Sequence, residues 1–338
     1  MNPSINQTEN LLFITLLQLI VMVGAARCMH TVFRRIGQPG VMGEILAGLL
    51  LGPSLLGHFF PQASRALFGD HASVPITIIS QIGLILLMFQ IGMEFEFAHL
   101  GTRRNRRATI AVTIFSVGVP LTVGNMLGRL SAPLLAPATD PVGYSLFFGL
   151  GLAITAVPVL GRILRQYGVT HTELGVVAIS AAAINDVIGW LLLSAMSAYA
   201  ASKFSAAHVT LQCAGLLVFG FTYTGLRTNV LGLSARADWQ WLAIILAVAV
   251  LSKIVPVYLA GRICGFDRNE SSILGTLTNT RGLMELIVLN IGFDLGLIPQ
   301  KLFTMVVIMA VVTSLMTGPL LKRLLSNSGH SIPVGLEA

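Results

Sequence analysis

Hydrophobic residues occur along this chain in long runs that are separated by short polar loops. Ten runs approach the length of a membrane span, because crossing about 30 Å of hydrocarbon takes roughly 20 mostly apolar residues in a helix. In chain order these spans one to ten lie at about 11–28, 39–57, 74–97, 108–130, 143–165, 173–199, 207–226, 239–260, 271–295 and 301–324. The pattern predicts an all-α polytopic membrane protein with a single transmembrane domain over 1–338.

Composition supports this interpretation and excludes several classes of protein. Charged residues make up 10% of the chain, whereas soluble domains carry about a quarter, so a soluble enzyme, a coiled coil and a disordered chain are excluded. The net charge of +7 comes from basic residues in short loops, which does not indicate a nucleic-acid partner. Cys28, Cys213 and Cys264 are isolated and form no CxxC pair, so we expect no disulfide framework, metal site or cofactor.

The distribution of Lys and Arg predicts the orientation of the first half of the chain. With the N-terminus outside, the cytoplasmic loops of the first six spans hold Arg27, Arg34, Arg35, Arg103, Arg104, Arg106, Arg107, Arg162 and Arg165, against Arg65, Arg129 and Lys203 on the other side. This bias is typical of cytoplasmic loops. In the second half, strict alternation places Arg227, Arg236 and Lys301 inside and Arg262, Arg268, Lys322 and Arg323 outside, so the orientation there stays open.

Five ionisable residues interrupt the apolar runs: Glu44, Asp186, Lys253, Arg281 and Glu285. An ionised side chain at mid-bilayer costs about 2.5–3.5 kcal/mol, so these groups must be paired, hydrated or line a cavity. Arg281 and Glu285 are spaced i, i+4 and can form a local ion pair. A packing carboxylate is an alternative for Glu44, and snorkelling to the interface is one for Lys253. Asp186 has no basic residue within a helical turn, so it is the leading candidate for chemistry, although a structural partner on another helix stays open.

Two spans carry helix-breaking residues near their middles. In span five Pro158 removes a backbone donor, and the Thr155 hydroxyl lies close by in sequence. Span nine gathers Thr278, Asn279, Thr280, Arg281 and Gly282. Interrupted helices are tolerated in membranes where the backbone is buried in protein or lines a watery cavity. A pair of them in the two halves of a chain points to the ion site of a transporter.

A weak internal repeat supports that interpretation. The segments ILLMFQIGMEFEF and VFGFTYTGLRTNV align Gly92 with Gly225, and each is followed by one further span and then by a broken one. The alignment predicts a first repeat over about 11–199 and an incomplete second repeat over about 207–324. Inverted repeats of this kind build many secondary transporters.

The chain resembles the monovalent cation:proton antiporter-2 family through segments in the order of that family: GQPGVMGEILAGLLLGPSLLG, LILLMFQIGMEFEF, ITAVPVLGRIL, AAAINDVIGWLL, TGLRTN and TNTRGLMELIVLNIG. The resemblance implies an inverted-repeat antiporter fold with two discontinuous crossed helices, moving as a core against a panel domain, usually in a homodimer. It further implies that Asp186 alternately binds a proton and Na⁺ or K⁺, with Thr155 and Asn185 beside it. The family lysine matches Lys253.

These roles agree with elementary electrostatics. Burial favours the protonated form of a carboxylate and a nearby cation favours the ionised form, so a proton and a metal cation can compete for Asp186. Because the proton and the cation compete for the same carboxylate, binding of one requires release of the other, which gives obligatory exchange. Lys253, Glu285 and Arg281 would tune the site, and Arg281 would also offset the negative ends of half-helices.

The sequence departs from the family pattern in two places. Asn185 replaces the first of two adjacent aspartates found in electrogenic members, which predicts electroneutral exchange of one proton per cation. Compared with the family pattern, we expect about three helices to be absent between span six and TGLRTN, so a transport-incompetent, internally deleted remnant is an alternative. A potassium-efflux system of the same superfamily is another. Such a system would carry a nucleotide- or thiol-sensing domain, and the residues after span ten contain no GxGxxG segment, so we expect no soluble regulatory domain.

We therefore predict a secondary transporter rather than an enzyme, since no paired aspartates or HExxH motif suggest an intramembrane protease. We expect it in lipid, in a bacterial inner membrane.

Overall fold

A computed structural model describes residues 3–52, 55–68, 102–201 and 235–327, with Leu233 and a few positions between 75 and 86. These residues form helices and no strand. The helices are α1 (Pro3–Arg35), α2 (Gly40–Leu51), α3 (Leu56–Phe59), α4 (Pro61–Phe68), α5 (Arg103–Leu135), α6 (Pro141–Ala153), α7 (Val157–Gln166), α8 (Glu173–Ala201), α9 (Arg236–Ile263), α10 (Arg268–Thr278), α11 (Leu283–Asp294) and α12 (Gln300–Asn327).

The predicted polytopic membrane fold is confirmed. Seven helical stretches within the described ranges are long and apolar enough to cross a membrane, and they match spans one, two, four, five, six, eight and ten. Span nine forms α10 and α11, with a break between them. Most of span three, all of span seven and the weak repeat that aligned Gly92 with Gly225 lie outside the described residues.

Both predicted helix breaks are present, and local sequence explains where the half-helices start. Ile154, Thr155 and Ala156 separate α6 from α7. Pro158 lies in the first turn of α7, where its missing N–H costs no helical hydrogen bond. It therefore starts the second half-helix rather than kinking a continuous one. In span nine, Asp267 and Glu270 form a capping box at the start of α10, and residues 279–282 separate α10 from α11.

Contacts at one end of the bundle define a surface that we call the basic face. Arg104, at the start of α5, lies 3.4 Å from the Glu173 carboxylate, 3.8 Å from that of Glu270 and 4.2 Å from the centroid of the Phe266 ring. The amide of Asn269 donates to the Leu324 carbonyl near the end of α12. The basic face therefore holds the starts of α5, α8 and α10 and the ends of α9 and α12.

Contacts at the other end define the opposite face. The Tyr199 hydroxyl donates to Asp140, which precedes α6 (3.4 Å), and Leu297, after α11, packs on Gly143. Lys301 at the start of α12 donates to Asp238 at the start of α9 (3.0 Å). The end of α8 and the start of α9 therefore lie at the same end of the bundle.

This arrangement answers the question that the Lys and Arg counts left open. The basic face holds the ends of α9 and α12 and the start of α10, together with the basic loops of the first half of the chain. The residues at these helix ends include Arg262, Arg268, Lys322 and Arg323. Strict alternation through all ten spans would have put them on the opposite face. Residues 202–234 instead connect two helix ends on one face.

Candidate ion-binding site

The two helix breaks meet in the middle of the bundle. The Ala156 amide donates to the Thr280 carbonyl (3.2 Å), and the Thr155 hydroxyl donates to the Thr278 carbonyl (3.1 Å). Gly282 permits this approach, because a Cβ atom there would lie 2.8 Å from the Ala156 Cβ. Extended chain from one broken helix is therefore hydrogen-bonded directly to extended chain from the other.

Four half-helix ends converge at this crossing. N–H groups in the first turns of α7 and α11, and carbonyls in the last turns of α6 and α10, have no partner in the continuing helix ladder. Each end carries a partial charge equivalent to roughly half an elementary charge. Because α6–α7 and α10–α11 cross in opposite directions, a positive and a negative end approach from each face. The crossing is therefore polar without a large net charge.

The Thr155 hydroxyl is the point where polar groups from separate helices converge. It is completely buried and accepts a hydrogen bond from the ammonium of Lys253 on α9. The amide of Asn185 on α8 approaches it at 3.5 Å. Lys253 is itself completely buried, which excludes snorkelling to the membrane interface in this structure.

Asn185 and Asp186 lie in the middle of α8. Asn185 is buried and donates to the Ser116 hydroxyl on α5 (2.9 Å), while its Oδ1 receives no hydrogen bond from any residue that the structure describes. Asp186 is half-buried, and its Oδ1 is a buried oxygen without a hydrogen-bond partner among the described residues. Lys253 lies near enough to interact electrostatically with Asp186, although no ion pair joins these two side chains.

Arg281 and Glu285 form the predicted i, i+4 pair, but it is a loose one. Arg281 NH1 lies 3.7 Å from Glu285 Oε1 and donates to the Gly151 carbonyl at 2.9 Å. Gly151 belongs to the last turn of α6, so the guanidinium faces the negative end of that half-helix. The Arg281 backbone also exchanges hydrogen bonds with the Ser314 hydroxyl on α12.

Asn279 and Thr280 are buried within the second break. The Asn279 amide approaches the Thr313 carbonyl on α12 (3.5 Å), and the Thr280 hydroxyl donates to Leu277 within its own chain segment (3.0 Å). Both side chains therefore stabilise the unwound backbone.

Glu44 lies apart from this cluster and has its own partners. Arg162 contacts both of its carboxylate oxygens, at 2.6 and 2.8 Å, and His30 Nδ1 lies 2.9 Å from Oε1. These contacts join α2 to α1 and α7, which favours the packing interpretation of Glu44.

The structure brings most of the residues singled out in the sequence to one crossing, and it adds others that sequence reasoning missed. Ser116 and Ser314 hold Asn185 and the Arg281 backbone in place. A signal for Ser116 was present, because Thr109, Thr113 and Ser116 share one face of α5 at helical spacing. Nothing in the sequence around Ser314 distinguishes it from an ordinary small residue in a membrane span.

Comparison with known proteins agrees with this geometry. The model of a family described as "Sodium/hydrogen exchanger, transmembrane" matches residues 19–232 and 215–327. The Na(+)/H(+) antiporter NhaS4 of Synechocystis sp. is 29% identical over 412 positions, covering 95% of this chain and 99% of that protein. Cation/H(+) antiporter 17 of Arabidopsis thaliana is 27% identical, covering 93% of this chain, which spans about half the length of that relative (49%). The Na(+)/H(+)-K(+) antiporter GerN of Bacillus cereus is 24% identical, covering 85% of this chain and 90% of that protein.

The same comparison supports the predicted shortening. The alignment with the Synechocystis protein has 412 positions but this chain only 338 residues, so at least 74 positions (412 less 338) are gaps here. That length is enough for about three spans of roughly 20 residues and their loops. The two matches to the family model overlap at 215–232, in the region where the sequence predicts the missing helices.

The chain is an integral, multi-pass membrane protein that belongs to the transmembrane sodium/hydrogen exchanger family.

Proposed function

We propose that this protein exchanges a monovalent cation, Na⁺ or K⁺, for a proton by alternating access, and that both ions bind at Asp186. The observation that carries the proposal is an unpartnered carboxylate oxygen on α8 beside the crossing of two broken helices. A buried polar atom normally has a hydrogen-bond partner, so an unpartnered carboxylate oxygen at this position is suited to an exchangeable ligand.

The neighbouring oxygens suit a hard cation. The Asn185 amide approaches Thr155 Oγ1 at 3.5 Å, and Asp186 is the next residue of α8. Hard cations take carboxylate, carbonyl and hydroxyl oxygens, and these three side chains offer one of each kind. We assign Thr155 and Asn185 as accessory ligands. Lys253, Arg281 and Glu285 set the local charge, and the broken-helix residues (Pro158, Thr278, Asn279, Thr280 and Gly282) hold the unwound segments.

The proposal includes the arrangement implied by the family resemblance. The two helix–broken helix–helix units, α5 to α8 and α9 to α12, would act as inverted repeats. The basic face would be cytoplasmic, the N-terminus outside, and the protein a homodimer in a bacterial inner membrane.

The assay is cation-driven pH change in proteoliposomes that contain a pH-sensitive dye. Pulses of NaCl or KCl should change the internal pH with the wild type, and Asp186→Asn should abolish the response while its thermal unfolding midpoint stays near that of the wild type. Glu173→Gln removes an exposed carboxylate on the same helix and is the matched control. Near-normal exchange by Asp186→Asn would refute the assignment.

A transport-incompetent remnant is the second candidate, favoured by the 74 or more gap positions in the alignment with the Synechocystis relative. Under that alternative the wild type binds Na⁺ or K⁺ in calorimetry but gives no pH response in proteoliposomes. Cation binding that Asp186→Asn abolishes would still support the site.

A further inference from the structure

Glu285 is a buried acid whose hydrogen-bonding capacity is unused. The side chain is completely buried, and neither carboxylate oxygen receives a hydrogen bond in the part of the chain that the structure describes. Its distance of 3.7 Å to Arg281 NH1 exceeds the 2.7–2.9 Å typical of a charge-assisted hydrogen bond. Arg281 Nε and NH2 are also buried, and no described residue offers them an acceptor. This is not the geometry of a closed structural ion pair.

Two charged groups from different parts of the chain interact with Glu285. Arg281 precedes α11 and Lys253 comes from α9, and both interact electrostatically with Glu285. Lys253 interacts in the same way with Asp186 on α8. The other helices packed on α11 are α6 and α12. The titratable groups on them are Tyr144, bonded to Ser131, and Lys301, Lys322 and Arg323 near the ends of α12.

Lys253 therefore interacts electrostatically with two acids, Asp186 and Glu285, and both favour its positive charge. While Asp186 is ionised and empty, its charge offsets that of Lys253, and an ionised Glu285 would lack both hydrogen bonds and a full counter-charge. Burying such a carboxylate is costly. Once a cation neutralises Asp186, the charges of Lys253 and Arg281 face Glu285 as the remaining acid, which favours its ionised form.

We propose that Glu285 is a second proton-binding site, which holds a proton while Asp186 is ionised and releases it when a cation occupies Asp186. The inference rests on the proposed function, since it takes Asp186 as the cation site. The O–H bond of the Glu285 carboxyl breaks, the electron pair stays on the carboxylate and the proton is released to the solution. Glu285 loses its proton whether a metal cation or a proton neutralises Asp186. It regains a proton when that ion leaves Asp186. Net exchange therefore stays at one proton per cation.

The test measures proton release on cation binding, in detergent, without any need for transport. Purified wild-type protein in weakly buffered solution with a pH indicator receives NaCl, with choline chloride as the ionic-strength control, and calorimetry counts bound Na⁺. At the alkaline end of the range over which the wild type releases protons, we expect one proton per bound Na⁺. There Glu285→Gln should bind Na⁺ and release none, Glu285→Asp should keep the release, and Glu173→Gln should match the wild type.

A structural role for Glu285 predicts a different result. In that case Glu285→Gln would lower the thermal unfolding midpoint but follow the wild-type proton-release curve at every pH, which would overturn the inference. If Glu285→Gln does not fold, infrared difference spectra of the wild type decide the matter at the same alkaline pH. Adding NaCl should remove a protonated-carboxyl C=O band, and absence of that loss would refute the proposal. Proton release from Asp186→Asn, or none from the wild type, would instead refute the proposed function.

Discussion

Replacing Thr155 with valine tests whether its hydroxyl organises the crossing. Valine has nearly the same shape, so the change removes polar contacts without opening a cavity. It leaves the Lys253 ammonium without its hydrogen-bond acceptor and the Thr278 carbonyl without a donor. Asn185 keeps its bond to Ser116. Each buried group left unsatisfied costs about 1–3 kcal/mol, and more if charged, so we expect Thr155→Val to destabilise the protein by about 2–6 kcal/mol.

The assay combines thermal unfolding in detergent with Na⁺ calorimetry. Thr155→Ser keeps the hydroxyl and is the matched control, which should retain most of the stability and of the Na⁺ affinity. A double-mutant cycle with Lys253→Met isolates the ammonium, because the cost of Thr155→Val should fall once no ammonium is left unpaired. The reasoning is refuted if Thr155→Val is as stable as Thr155→Ser and binds Na⁺ equally well, or if its cost is unchanged in the Lys253→Met background.

Two further predictions concern charge in the site. Lys253→Gln should shift the pH profile of exchange or lower the unfolding midpoint, because it changes the field at Asp186 without removing the cation site. An unchanged profile with unchanged stability would show that the buried ammonium has no influence there. Exchange should also be insensitive to a membrane potential imposed with valinomycin and a K⁺ gradient, because Asn185 leaves α8 with one carboxylate at the site and Glu285 regains its proton in each half-cycle. A Na⁺/H⁺ exchange rate that depends steeply on the potential would demonstrate net charge movement.

The hydrophobic pattern predicted most of the fold, because a membrane span can be recognised from its length and hydrophobicity alone. The breaks were also visible in the sequence, since Pro158 and the polar run from Thr278 to Gly282 contradict a continuous apolar helix. Their contact was not visible, because it depends on backbone hydrogen bonds between segments more than a hundred residues apart. The roles of the polar groups that complete the site were not visible for the same reason, although the shared polar face of Thr109, Thr113 and Ser116 was. Ser116 and Ser314 are small residues that gain a role only through a partner on another helix.

The sequence pattern predicted the positions of the ionisable residues but not their contacts. An i, i+4 spacing correctly placed Arg281 beside Glu285, but it did not show that NH1 bonds to the Gly151 carbonyl or that Glu285 lacks hydrogen bonds. Spacing also left Lys253 free to reach either the interface or the interior, since a long side chain near mid-span has both options. Tertiary packing decides between them, because the Thr155 hydroxyl offers an acceptor at the break.

One topological question is left, which is how many times the connection between α8 and α9 crosses the membrane. Ala201 and Arg236 lie at the ends of helices on the same face, as the contacts of Tyr199 with Asp140 and of Asp238 with Lys301 require. Whatever joins them must cross the membrane an even number of times. Two helical crossings take roughly 40 apolar residues, whereas the connection has one apolar run of span length, at 207–226. An odd number of further spans in this connection would make the number of crossings even, and the gap positions in the alignment with the Synechocystis relative are enough for three.

Cysteine labelling tests this arrangement directly, on a background in which Cys28, Cys213 and Cys264 are replaced by serine. We expect Arg268→Cys to react from the same side of a sealed vesicle as Arg103→Cys, because both positions lie on the basic face, and Ala237→Cys to react from the other side. These three positions are exposed in the structure, so burial does not limit their reaction. Labelling of Arg268→Cys and Arg103→Cys from different sides would mean that the run at 207–226 crosses once and inverts the second half. The two breaks would then be unable to cross with opposite polarity, and the charge balance argued for the half-helix ends would fail with them.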